Sequence, residues 1–352
     1  MKRNARKKLQ VEGLETRVLL AADVTFCPSS DVVAVSDEST APMVVSGEAL
    51  EQFGPLRSSW ATRHFGAHTN HSANTVRLTP ESGFSLAEAI EAAGPRGTVV
   101  VEAGTYSESS VMITQPVTIV GKEGAVIEFD SQASTTPGAP RDIDAGFHIK
   151  DTRQVRIRGL EIRDNDTGST AILIEGSERV SIKNNKISGF QDGVLVESAN
   201  HARIVGNAVS ATGVLATTFG ITVANGYGNQ VRNNTVSGAT FGIFASGENG
   251  KILHNTTNGN FVGIILCNVP PYSIRLPDGR LTGAETPATR WLVRENTSIS
   301  IDAPGSVGYL VIDGANNNRL TNNQGGGDGA YDIELTADTY RFGLPLCFAC
   351  LL

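Results

Sequence analysis

Short alternating apolar runs recur along the chain, each opened by a small residue and closed by a turn. The segment FGITVANGYGNQVRNNTVSGATFGIFASGENGKILHNTTNGNFVGIIL, residues 219–266, says nearly the same thing three times. The residue before the first inward apolar position falls at Gly146, Ala171, Gly193, Gly220, Gly242, Gly263, Gly308 and Asp332, with spacings of 25, 22, 27, 22, 21, 45 and 24. A second marker, Leu160, Asn185, Asn207, Asn234, Asn255, Asn296 and Asn323, steps by 25, 22, 27, 21, 41 and 27. Two independent markers that keep step define a repeat architecture. The long spacing contains an insertion of about one repeat, near 268–290.

Helical periodicity is absent, and so is the constant leucine ladder of a leucine-rich repeat. The alternation predicts two or three short strands per repeat, hence an all-β right-handed parallel β-helix of about eight or nine coils stacked at about 4.8 Å. Ile221 and Val223 should then pack inward on Ile243 and Ala245, and those on Ile264 and Leu266. An Asn at each turn tolerates left-handed backbone, and stacked amides can hydrogen-bond along the column. Before the repeat, SLAEAIEAAG reads as a short amphipathic helix with a Ser85/Glu88 capping box and Gly94 as its stop, a plug for the first coil. The division is residues 1–22 as an export-like region, 23–75 as a loosely ordered linker, 76–343 as the β-helix and 344–352 as an apolar tail.

Residues 83–343 resemble bacterial right-handed parallel β-helix proteins of the pectate-lyase-like superfamily. GTVVVEAGTYSE with PVTIVG looks like their opening coil, and VSIKNNKISG like their generic repeat. Relatives of that kind include polysaccharide lyases, hydrolases, esterases and epimerases. The Trp-Ile-Asp-His-like and Arg-x-Pro-x-x-Arg segments of the lyases are missing here. So are the polygalacturonase set and the pectin esterase Gly-x-x-Asp-Phe-x-Phe-Gly. At the N-terminus, Leu14 to Leu20 (LETRVLL) resembles the LEPR-XLL region of planctomycete surface and secreted proteins, with Thr16 where that region usually has Pro. That resemblance implies an extracellular or cell-surface location.

Charge and composition narrow the chemistry. A net charge of -7 argues against general nucleic-acid affinity. Four scattered Cys make no disulfide framework. No run approaches the roughly 18 apolar residues of a membrane helix. His64, His68 and His71 lie close in sequence, but Gly66 and Asn70 disfavour a shared helical face, so a polar linker is expected. Cys347 and Cys350 form a lone pair, a weak metal signal.

Alternation also sorts the outward positions into columns. One reads His148, Leu173, Leu195, Thr222, Phe244, Ile265, Leu310 and Glu334, mostly apolar, and calls for cover by the chain's own loops or by a ligand. The next places Glu175 and Glu197 one coil apart near Lys150. Carboxylates that close repel unless a proton or a cation such as Ca2+ intervenes, so they suit acid/base work, a calcium site or plain solvated surface. Asp313 with Asp332 or Glu334 suits a further carboxylate pair beside a loop-formed cleft, in a C-terminal group with Tyr309, Tyr340 and Arg341, and turn capping explains Asp313-Gly314 equally well. No motif calls for a cofactor. The clearest bias lies on another strand, where Arg156, Arg158, Lys183, Arg203, Arg232, Lys251, Arg294 and Arg319 point outward with almost no acids between them. Such a face suits an acidic polysaccharide, since Arg offers a two-pronged fit to carboxylate or sulfate. Ordinary solubility is the competing explanation.

Overall fold

The computed structural model describes residues 74–130, 141–142, 145–211, 218–267, 274–275, 286–301, 306–311 and 315–326. They form a right-handed parallel β-helix of about eight turns. One wall, here wall I, is a ten-stranded parallel sheet whose strands stack in chain order: Thr75–Leu78, Gly97–Val101, Val117–Gly121, Arg156–Arg158, Ser181–Lys183, Arg203–Val205, Gln230–Arg232, Lys251–Leu253, Leu292–Arg294 and Arg319–Thr321. Walls II and III are one continuous fifteen-stranded sheet, because the long strands Glu161–Glu175 and Lys186–Glu197 turn the corner between them. Wall II continues through Ala208–Ala211, Thr235–Ser237, Thr256–Asn260, Thr297–Ser300 and Gln324–Gly326. Wall III runs from Ala145–Lys150 to Phe219–Ala224, Phe241–Ala245, Val262–Leu266 and Val307–Val311.

The core is the expected stack. Ile221 pairs in register with Ile243 and Ile243 with Ile264; Val223, Ala245 and Leu266 follow two residues on, and all six are buried. The small residue that opens each repeat is set by backbone approach at this corner. A Cβ on Gly220 would lie 2.6 Å from the Gly242 carbonyl oxygen, and one on Gly242 would lie 2.5 Å from that of Gly263.

The Asn marker is a buried hydrogen-bonded ladder between walls I and II. The Oδ1 of Asn234 accepts from the Asn207 backbone amide (2.9 Å) and side-chain Nδ2 (3.0 Å). Asn234 Nδ2 donates in turn to Ile204 O (2.9 Å) and Asn255 Oδ1 (3.0 Å). The same pattern links Asn185 to Asn207, Asn255 to Asn296 and Asn296 to Asn323. The left-handed backbone expected at these Asn sits one residue earlier, at Asn184, Gly206, Asn233, His254, Glu295 and Asn322. That residue turns the chain, which leaves the ladder Asn free to aim its amide inward at the rung below.

Helix α1 (Leu86–Ala93) closes the first coil. Its capping box is formed by Ser85 and Glu88, and Leu86, Ala89, Ile90 and Ala93 join the main core. The Leu86 amide, an orphan donor of the first turn, donates to Glu108 Oε1 at 2.6 Å. Burial raises the Glu108 carboxyl above the usual range, opposed by that hydrogen bond and reinforced by Glu88. The Tyr106 phenol is raised as well, by burial first and then by Glu81 and Glu102.

Candidate functional site

Wall I carries the predicted cations on its outer surface. Each three-residue strand has an inward centre, Ile157, Ile182, Ile204, Val231, Ile252, Val293 and Leu320, all buried. The flanking residues therefore face out. Arg156, Arg158, Lys183, Arg203, Lys251, Arg294 and Arg319 are exposed, and Arg232 is half-buried. Of these eight, only Arg294 has a salt bridge among the described residues, to Glu295 at 3.4 Å. On wall II the cations behave differently: Lys186 pairs with Glu161 (3.2 Å) and Arg163 with Glu128 (3.8 Å), each one rung away. Arg232 stands in its column between Val205 and Leu253, so aliphatic side chains bracket its stem. Its Nε is shut from solvent with no hydrogen-bond partner among the described residues. An open groove of about 300 Å³ borders this wall at the ladder turn, lined in part by Gly159, Asn184, Lys186 and Gly206.

Wall III differs. His148, Leu173, Leu195, Thr222, Phe244 and Ile265 are all buried, and Leu310 is partly so. The apolar column is thus covered within the chain. Phe219, Phe241, Phe244, Val262, Ile265 and Cys267 form an apolar cluster separate from the solenoid core. Phe219 and Phe241 stack with centroids 5.0 Å apart. The insertion contributes one described strand, Ile274–Arg275, which pairs in parallel with Arg141–Asp142.

Glu175 and Glu197 are adjacent in register, as expected, but both are buried, at 2 % and 5 % exposure. Glu175 is held by two cationic or potentially cationic neighbours: Oε2 lies 2.8 Å from His148 Nε2, and Oε1 lies 3.3 Å from Lys150 Nζ. Glu197 Oε1 accepts from Ser198 Oγ (3.0 Å) and Asn225 Nδ2 (3.1 Å). The His148–Glu175 contact follows from alternation plus register, since the two stand in neighbouring outward columns one rung apart. Cover is what makes the partnership necessary, because a charge buried without a partner is costly. Among the described residues, no group of three or more His, Cys, Asp or Glu is arranged to hold a metal ion.

Tyr309, grouped by sequence with the C-terminal acids, is a core residue. It is buried, and its hydroxyl donates to backbone carbonyls of Asn296 and Gln324, both at 2.9 Å. Asp313, Asp332, Glu334, Tyr340, Arg341, Cys347, Cys350, the three clustered His and the LEPR-XLL-like segment lie outside the described residues.

Comparison with known proteins agrees with this architecture. Residues 141–274 match the family described as right handed beta helix region. A family 28 exopolygalacturonase of Yersinia enterocolitica superposes with a TM-score of 0.51 at 13% identity, over 72% of this chain and 59% of that one. The chain thus spans less than two thirds of that enzyme. An alginate lyase of Paenibacillus gives a TM-score of 0.46 at 15% identity, over 76% of this chain and 100% of that one. The Streptococcus pneumoniae surface adhesin PfbA gives 0.46 at 14%, over 73% and 79%. At such identities the likeness concerns the fold. No curated protein matches the sequence. Among the described residues, no helix is long and apolar enough to cross a membrane.

Proposed function

We propose that this chain is an exported, cell-surface or extracellular β-helix that binds acidic polysaccharide along wall I. The observation that carries the reading is the ladder of outward Arg and Lys on a rigid sheet, seven of the eight without an acidic partner among the described residues. The sheet holds the backbone of these residues in place before binding, and Arg meets carboxylate or sulfate with paired hydrogen bonds. The LEPR-XLL-like residues 14–20 support export.

The test is binding of the full chain to uronate and sulfated glycans at increasing salt. Affinity should fall steeply as screening grows. Arg203→Glu together with Arg232→Glu should abolish binding, and persistence of binding in that variant would refute the basic face. A lyase or hydrolase using Glu175 and Glu197 is less well supported, because both carboxylates are buried and Glu175 is occupied by His148 and Lys150. New reducing ends or ultraviolet-absorbing unsaturated products would restore it. Neither binding nor cleavage would leave a purely structural surface module.

A further inference from the structure

Strand register orders the wall I cations in a way that the linear sequence hides. In the first outward column the residues in successive rungs are Arg156, Ser181, Arg203, Gln230, Lys251, Leu292 and Arg319. In the second they are Arg158, Lys183, Val205, Arg232, Leu253, Arg294 and Thr321. Beyond the Arg156/Arg158 rung, every rung carries one cation, and the cation changes column at each step: Lys183, Arg203, Arg232, Lys251, Arg294, Arg319. Within a column the spacing is two rungs, about 10 Å, and the columns stand about 7 Å apart along the strand.

Staggering the cations lowers the repulsion between neighbouring rungs but leaves each of them without a counter-charge. An acid on a neighbouring rung neutralises a cation most directly, as wall II does in Lys186–Glu161 and Arg163–Glu128. On wall I the intervening residues are Ser181, Gln230, Leu292, Val205, Leu253 and Thr321, none of them acidic. At one end Arg158 and Lys183 even stand directly opposed, an unfavourable pairing for two like charges.

We propose that wall I reads a linear polyuronate in a flat, twofold ribbon conformation, lying along the solenoid axis. In such a ribbon each sugar is turned over relative to the last, so successive carboxylates project to opposite edges. The advance per sugar is comparable to one rung. One carboxylate per rung then meets one cation, left and right in turn. This inference rests on the reading of wall I as an anionic-glycan face and adds the shape of the ligand.

Length-matched polymannuronate, a flat twofold β-1,4 ribbon, and polygalacturonate, an α-1,4 chain that winds with threefold symmetry at equal charge per sugar, separate shape from charge. Calorimetric titration of the full chain should show polymannuronate bound more tightly, by about tenfold. Gln230→Arg with Arg232→Gln keeps composition and net charge but puts three cations in one column on consecutive rungs. Ser181→Arg with Arg203→Ser breaks the alternation at a second place. Both exchanges involve outward positions, and circular dichroism with thermal melting checks that they leave the fold intact. Each should erase the preference. Equal binding of the two polymers by the native chain overturns the inference. So does an unchanged preference in both exchange variants. In either case, loss of all binding in the Arg203→Glu, Arg232→Glu variant shows that the anionic-glycan face itself stands. Binding of neither polymer, or tighter binding of single-stranded poly(dT), overturns both.

Discussion

Walls I and III are built by the same repeat, and each presents an outward column on nearly every rung, yet they end in opposite states. Wall I keeps seven of its eight Arg and Lys exposed and the eighth, Arg232, half-buried, with one acidic partner among the described residues. Wall III buries Leu173, Leu195, Phe244 and Ile265 completely and closes over His148 and Glu175. Pointing away from a solenoid core is therefore not the same as facing water. The chemistry of the column shows what happens next. Apolar residues invite cover, and any charge caught beneath must find a partner. Cations in a row without acids repel cover and remain available to a mobile anion.

The comparison can be broken most severely at Glu175. Glu175→Ala leaves His148 and Lys150 facing a buried void, and chemical denaturation should show a loss of about 3–5 kcal/mol. Phe244→Ala removes a fully buried ring from the covered cluster and should cost about 3 kcal/mol or more by the same measurement. Arg203→Ala on wall I should leave stability within about 0.5 kcal/mol while weakening glycan binding. A loss at Arg203 as large as that at Glu175 would erase the distinction between the walls.

The smallest effect lies at the cap, outside both walls. The raised Glu108 carboxyl favours folding while it is protonated in the folded chain. Its contribution is fully present below the ordinary glutamate range, about pH 4.3, and is lost as pH rises through the elevated folded value. Glu108→Gln should flatten the melting temperature across that window, with its amide oxygen still able to accept from Leu86. An unchanged pH slope would assign the titration to another group.

Much of the architecture could be read directly from residue order. The Asn spacing predicted a column, and the ladder from Asn185 to Asn323 is hydrogen-bonded throughout. The Ser85/Glu88 cap and the inward stack through Ile221, Ile243 and Ile264 were equally legible, because each depends on neighbours at a fixed offset. The position of left-handed backbone was misplaced by one residue. Asn suits that conformation, but a His or Glu occupies it here at two turns, His254 and Glu295, which residue preference alone does not reveal. Tyr309 was grouped by sequence with the C-terminal acids, and its alternation phase after Gly308 puts it in the core, where it is buried.

Residue order by itself determined the coil, its inward face and the outward cations of wall I, since a parallel solenoid converts sequence period into vertical adjacency. Only the tertiary structure decided which outward column is buried. It also decided that Glu175 is gripped by His148 besides the expected Lys150, and that the wall I cations alternate from rung to rung. Cover depends on segments remote from the column they shield. The alternation depends on register between strands 21 to 41 residues apart, which local pattern cannot specify to the single residue.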